Sequence, residues 1–326
     1  MMYAPRMMLI GSTGRHTGKT LLACELIKKL GGRHGVIAAK VTTVQERNGP
    51  CPRGGEGCGV CSDLTDTYCL TEETEPGGPK DTQRLFAAGA ETVLWLRVLR
   101  KHLAEGASKL LEKTGGAFVL CESNSLRTVI EPGLFLVCHS NKEGSMKASA
   151  ADVEALADFR ITFNGETFDN DCSAIDIRDG QWVVPYDAAA VMLARGDAAE
   201  QATLQDWQDF LAPHFRQVIV SRAEQTQSGR GLLPRILSAV EASEHDLTFV
   251  TACETPAVDL RGLRRLFREV RKDYDAIVPI TPDGVEPLFG IFHKRAIPAL
   301  RAGIDANESS LQRFLTRLET AYVEQT

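Results

Sequence analysis

The residues with the clearest chemical meaning in this chain are Gly11 to Thr20, which run GSTGRHTGKT. An apolar run, Met7 to Ile10, precedes them, and a helical pattern follows them. A glycine-rich turn between a strand and a helix N-terminus suits phosphate. Main-chain N–H groups close around a polyphosphate, the helix dipole favours its charge, and a lysine reaches the terminal phosphates. Lys19 is that lysine, and the Thr20 hydroxyl is expected on a bound magnesium ion. Gly11, Gly14, Arg15, His16, Thr17 and Gly18 complete the candidate nucleotide contacts. The common GxxxxGK[ST] spacing asks for glycine at position 13, where Thr13 stands with Gly11 and Gly14 to either side. A chance GKT in a glycine-rich turn is the competing explanation, and the strand and helix around it weigh against that.

Magnesium at such a loop takes a carboxylate from the end of a neighbouring strand. Glu122 ends the predicted strand Phe118 to Cys121 and is the candidate, the alternative being a solvated strand-end carboxylate. Lys19, Thr20 and Glu122 form the candidate catalytic set. Lys40, near the end of another predicted strand, adds positive charge, and Asp81 and Arg84 flank the same face or simply open a helix. Asn141 is the candidate base contact. It stands in Ser140-Asn141-Lys142-Glu143 after a strand, in the manner of the Asn-Lys-x-Asp pattern that hydrogen-bonds guanine, although Gly144 holds the aspartate position.

Four of the nine cysteines, Cys51, Cys58, Cys61 and Cys69, lie close together in a segment rich in glycine. Thiolates at these spacings suit a tetrahedral zinc or an iron–sulfur cluster. A redox thiol pair and unligated reduced cysteines are the alternatives. Cys24, Cys121, Cys138, Cys172 and Cys253 fall in apolar segments and are expected to be small core residues.

The elements that must position these groups alternate. A strand at Met7 to Ile10 leads to a helix ending at Gly31-Gly32, then a strand at Gly35 to Thr43. Residues 45–80 show no apolar period and form a cysteine-rich insertion. Helix Asp81 to Ala90, strand Glu91 to Val98, helix Arg100 to Lys113, strands Gly116 to Cys121 and Pro132 to Cys138, helix Ala148 to Phe159 and strand Ile161 to Phe163 follow. Continuous apolar strands separated by helices indicate a parallel sheet covered on both faces. A second alternation begins at helix Leu204 to Leu211, with strands at Gln217 to Ser221, Leu247 to Thr251 and Ala276 to Pro279. The expected organisation is α/β: a P-loop NTPase domain over residues 1–175, then a second α/β domain over 176–326.

Composition sets outer limits. A chain of 326 residues with 43% hydrophobic and 25% charged residues is an ordinary globular composition. The net charge of −6 argues against a general nucleic-acid-binding surface. No apolar run reaches membrane-span length and the N-terminus lacks signal-peptide features, so a cytoplasmic protein is expected.

GSTGRHTGKT, AAKVTT, KDTQRLFAAGA and FVLCESNS, in that order, resemble the GTP-binding protein of molybdopterin-guanine dinucleotide synthesis (MobB-like) over residues 7–165. In that family a strand ends in lysine, a D-[ST]-x-R…AGA segment follows, and a strand-end glutamate serves magnesium. These match Lys40, Asp81 to Arg84, Ala88 to Ala90 and Glu122. Dethiobiotin synthetase shares the broad class of loop. QVIVSR, GLLPRILSAVEA, LTFVTACETP and EPLFGIFHKRAIPAL look like the later half of the molybdenum cofactor guanylyltransferases (MobA-like). Glu254 stands where that family has a metal-binding aspartate, and Glu286 to Phe289 match a motif lining its pterin side. The family's glycine-rich, arginine-bearing triphosphate loop and its lysine have no counterpart before Gln217, so the second domain is expected to be a degenerate, nucleotidyltransferase-like fold. The resemblance implies a magnesium-dependent protein that binds and hydrolyses GTP and assists molybdenum cofactor biosynthesis. Molybdopterin and a molybdoenzyme maturation factor are its implied partners. An ATP-dependent ligase and a nonenzymatic metal- or pterin-binding scaffold are the alternatives.

Overall fold

The computed structural model describes residues 1–44, 64, 66–141, 148–169, 172–195, 200–222, 231–253, 260–270, 273–282 and 284–325. The chain divides into two compact units, Met1–Val183 and Val184–Thr326.

In the first unit β1 (Met2–Ser12) leads to α1 (Lys19–His34) and β2 (Ile37–Val44). Next come β3 (Tyr68–Glu72), α2 (Asp81–Ala87), β4 (Val93–Leu99), α3 (Leu103–Thr114) and β5 (Val119–Glu122). After them come β6 (Ile130–Ser140), the single turn α4 (Ala148–Ala151) and β7 (Phe159–Phe163). Among the described residues the sheet order is β3-β4-β2-β5-β1-β6-β7, parallel except at β3. Leu9, Val41, Leu96, Cys121, Phe135 and Val137 pack with Leu103, Ala107 and Leu110 of α3 in one core. The helix α1 buries Leu22, Leu26, Ile27 and Leu30. Strands buried on both faces explain the continuous apolar runs.

Three expectations need correction here. The first helix does not stop at Gly31-Gly32: it continues to His34 and ends at Gly35, whose φ of 60° is left-handed. Gly31 is there for packing, because a Cβ on it would stand 2.8 Å from the Gly89 carbonyl oxygen. The stretch 45–80 is not loop throughout, since β3 pairs antiparallel with β4. The helix expected from Ala148 to Phe159 is reduced to α4 and a 3-10 turn at Glu154–Leu156. Asp158 draws the chain onto β6: its N–H donates to the Phe135 carbonyl, and its carboxylate accepts from the Phe135 N–H, both at 2.8 Å.

The hairpin β8 (Asp176–Arg178) and β9 (Gln181–Val183) belongs to the first unit, beyond the boundary expected near residue 175. Trp182 of β9 is fully buried, edge-on to Phe118, and donates to the Arg6 carbonyl.

The second unit opens on β10 (Tyr186–Ala194), α5 (Glu200–Leu211), β11 (Phe215–Arg222), α6 (Leu232–Ala242) and β12 (Leu247–Ala252). It continues with α7 (Leu260–Glu269), β13 (Ala276–Thr281), β14 (Gly284–Val285) and β15 (Phe289–His293). The last elements are α8 (Ile297–Asp305), α9 (Leu311–Leu315) and β16 (Thr320–Glu324). The sheet order is β11-β10-β12-β15-β13-β14, with β16 beside β13. Val191, Val250, Val278 and Phe292 pack with α6, α8 and α9 on one side. Tyr186, Phe215, Phe249, Phe267 and Phe289 form a continuous set of ring contacts.

Candidate functional site

The residues singled out around Lys19 gather at the C-terminal edge of the first unit's sheet. The strand β1 carries the chain to Ser12, residues 13–18 bend, and α1 starts at Lys19. The turn depends on two left-handed residues, His16 at φ 57° and Gly18 at φ 77°. A Cβ on Gly18 would lie 2.8 Å from Phe163 and 2.9 Å from Phe168, so these two rings floor the turn. Thr17 is buried, Lys19 and Thr20 are half-buried, and Arg15 and His16 face solvent. Among the described residues no side chain caps the start of α1, and its first turn holds no acidic residue. The free N–H groups and dipole of that end therefore remain to attract an anion.

Glu122 closes β5 and lies in register with Ile10 of β1 and Lys40 of β2. It is 2% exposed, and among the described residues neither carboxylate oxygen has a hydrogen-bond partner. A buried carboxylate in that state is costly unless a positive charge answers it. Burial, with Glu122's charge adding to it, raises the Cys24 and Cys121 thiols, and Lys19 acts in the opposite sense on Cys121. Burial likewise pushes Cys138 up to about 12. Lys40 ion-pairs with Asp81, the first residue of α2. Burial works to raise Asp81, but the hydrogen bond and charge of Lys40, with Lys19 and Arg84, hold it below the usual carboxylate value. The lysine and aspartate singled out separately in the sequence thus form one contact beside Glu122.

Asn124, which the sequence reading passed over, touches the loop directly. Its side-chain amide holds the backbone of Ser12 through two hydrogen bonds. The only sequence signal for it is its place two residues after Glu122 in ESNS.

Other candidates stand apart or lie outside the described residues. Asn141 is exposed at the end of β6, where its N–H donates to the Phe163 carbonyl at 3.4 Å, and Lys142, Glu143 and Gly144 are outside the described residues. Cys51, Cys58 and Cys61 are outside them too. Cys69 sits in β3, and its Sγ accepts from Arg97 at 3.2 Å. Among the described residues no group of three or more His, Cys, Asp or Glu is placed to hold a metal. Cys24, Cys121, Cys138 and Cys253 are buried and Cys172 is half-buried.

In the second unit the C-terminal ends of the parallel strands β10, β11 and β12 lie side by side. Tyr186–Ala194 is the opening strand; its alanines carry little strand signal, yet Ala188 to Ala194 are buried between β11 and β12. No lysine occurs between Lys147 and Lys272. Arg235 of α6 donates to the Ala194 carbonyl at 2.8 Å, which places a guanidinium at the end of β10. Glu254 is outside the described residues. The Glu286 carboxylate accepts from the Leu288 N–H within its own turn, ahead of buried Phe289.

Residues 183–321 match the family model of the MobA-like NTP transferase domain. A probable molybdenum cofactor guanylyltransferase of Bacillus subtilis (strain 168) is 33% identical over 96 residues, 29% of this chain and 48% of the relative. One of Bacillus licheniformis is 30% identical over 96 residues, 29% of this chain and 49% of the relative. The chain therefore spans about half the length of the curated relatives it matches. The molybdopterin-guanine dinucleotide biosynthesis protein A of Archaeoglobus fulgidus aligns with a TM-score of 0.34 at 18% identity, covering 41% of this chain and 83% of that structure. The architecture is mixed α/β with parallel sheets and a nucleotidyltransferase-like second part. No described helix is long and apolar enough to cross a membrane.

Proposed function

We propose that the first unit binds and slowly hydrolyses a nucleoside triphosphate, GTP by resemblance, and that the chain serves molybdenum cofactor biosynthesis. The observation that carries this reading is Glu122, a buried carboxylate with no hydrogen-bond partner among the described residues, in register with Ile10 at the end of the strand that leads to Lys19 and the uncapped start of α1. An all-oxygen donor set of Thr20 and Glu122 fits magnesium, which takes one or two carboxylates or hydroxyls together with phosphate oxygens and water. When bound, the ion supplies positive charge shared between the phosphates. The N–H groups of the loop and of the first turn of α1 orient the phosphates, and Lys19 stabilises charge on the terminal ones. Lys40, held by Asp81, keeps a second cation beside Glu122.

The relatives of the second unit support the choice of pathway. That unit binds pterin or a partner rather than transferring a nucleotide, because no lysine occurs between Lys147 and Lys272, the stretch in which a triphosphate grip would follow the opening strand. Calorimetric titration of the purified protein with GTP and with ATP, each with magnesium, tests both statements. One GTP site, lost in Lys19→Ala, is expected. Full affinity in that variant overturns the loop assignment, a second GTP site revives the transferase, and preference for ATP moves the ligase forward. Labelled dinucleotide formed from GTP and molybdopterin would overturn the inactive second unit.

A further inference from the structure

We infer that Asn124 is a positioning residue for nucleotide, a clamp that fixes the entry to the phosphate loop and ties it to Glu122; this rests on the nucleotide reading above. The parallel ladder between β1 and β5 reaches Ile10 and Glu122, and the Ser123 N–H then donates to the Ile10 carbonyl at 3.1 Å. Past that point β5 has ended, and the Asn124 side chain takes over as a substitute strand. Its Oδ1 accepts from the Ser12 N–H at 2.7 Å, and its Nδ2 donates to the Ser12 carbonyl at 2.8 Å. On the opposite flank the Thr13 N–H donates to the Cys138 carbonyl of β6 at 3.1 Å. The Ser12 hydroxyl also donates to the Gly14 carbonyl at 3.1 Å. Residues 12 and 13 are thus pinned on both sides just before the turn to which the nucleotide reading assigns the phosphates.

Gly11 provides independent support. A Cβ there would stand 2.8 Å from Asn124 Oδ1 and 3.0 Å from the Phe135 ring. The strand end is cut back to glycine where the amide and the ring approach it. Gly11 therefore serves the clamp, and the loop glycine that serves the turn itself is Gly18. Because Asn124 lies two residues from Glu122, the clamp holds the carboxylate and the loop in one rigid relation. Binding then needs less ordering of the loop.

The test compares wild type with the near-isosteric Asn124→Asp variant, which keeps the acceptor for the Ser12 N–H but sets an anion against its carbonyl, and with Gly11→Ala. Calorimetry with GTP and with ATP, each with magnesium, is read alongside the unfolding midpoint of the nucleotide-free protein. About a tenfold rise in Kd is expected in each variant, since each loses roughly one net hydrogen bond. GTP and ATP weaken by the same factor, because the clamp acts on the phosphate loop and not on the base. A purely structural role would lower the midpoint and leave Kd, measured well below it, unchanged; that result overturns the inference alone. A wild type that binds neither nucleotide overturns the nucleotide reading and the clamp's role with it. Should a variant fail to fold, hydrogen exchange at the Ser12 amide of wild type decides. Protection that rises on adding GTP supports the clamp, and exchange at the rate of an open loop overturns it.

Discussion

Gly18→Ala tests the shape of the loop more sharply than loss of any charged group. The alanine would have to hold φ near 77°, a left-handed conformation that costs an L-residue about 1–2 kcal/mol. Its Cβ would also stand 2.8 Å from Phe163 and 2.9 Å from Phe168, an overpacking that adds about 1–3 kcal/mol. The sum, about 2–5 kcal/mol, lowers the melting midpoint of a unit this size by about 4–20 °C. Gly14→Ala is the internal control. It meets only the Thr17 methyl at 3.7 Å and carries no left-handed φ, so its effect stays within about 0.5 kcal/mol. Differential scanning calorimetry of the nucleotide-free proteins gives both numbers. A Phe163→Ala/Phe168→Ala background separates the two costs, because it relieves both ring contacts and leaves the backbone penalty of about 1–2 kcal/mol. Equal midpoints for Gly18→Ala and Gly14→Ala would refute the reasoning, showing that the turn is not held against the two rings in solution.

The adjacent glycines of α1 should respond in opposite directions. Gly32→Ala meets nothing within 4 Å and should stabilise by up to about 1 kcal/mol, whereas Gly31→Ala drives a Cβ to 2.8 Å from the Gly89 carbonyl and should destabilise by about 1–3 kcal/mol; chemical denaturation gives both signs. Glu122→Gln removes an unpartnered buried charge, so the midpoint without nucleotide should rise by about 2–4 °C for each kcal/mol of desolvation relieved. The same variant should lose about tenfold in magnesium-dependent nucleotide affinity if it forfeits one charge-assisted contact, and an unchanged magnesium dependence would remove Glu122 from the site. Asp81 is depressed in the folded state. Its contribution is therefore fully present above the unfolded value near pH 4 and is lost as pH falls through the folded value. Asp81→Asn should flatten that part of the acid limb, and identical acid unfolding curves would show that the pair with Lys40 is idle.

Much of the first unit was legible because its signals are local. An apolar run, a glycine turn and a period near 3.6 give β1, the loop and α1 without reference to the rest of the chain, and the composition of β5 and β6 announces strands covered on both faces. The glycines misled where their reason was tertiary. Gly31-Gly32 has the form of a helix stop, yet Gly31 is required by the close approach of the Gly89 carbonyl and the helix runs past it. The alanine-rich β10 gave no strand signal because alanine carries so little intrinsic preference for one, and only its place between β11 and β12 makes it the opening strand of the second unit. The residue types of the candidate site, Lys19, Thr20, Glu122 and Lys40, were determined by the sequence alone, since spacing from a strand end is a local quantity. That Lys40 pairs with Asp81, that Glu122 is enclosed with no hydrogen-bond partner, and that Asn124 grips Ser12 are facts of the tertiary structure. Each joins residues far apart in the chain, and parallel strand order, which no local pattern encodes, is what brings them together.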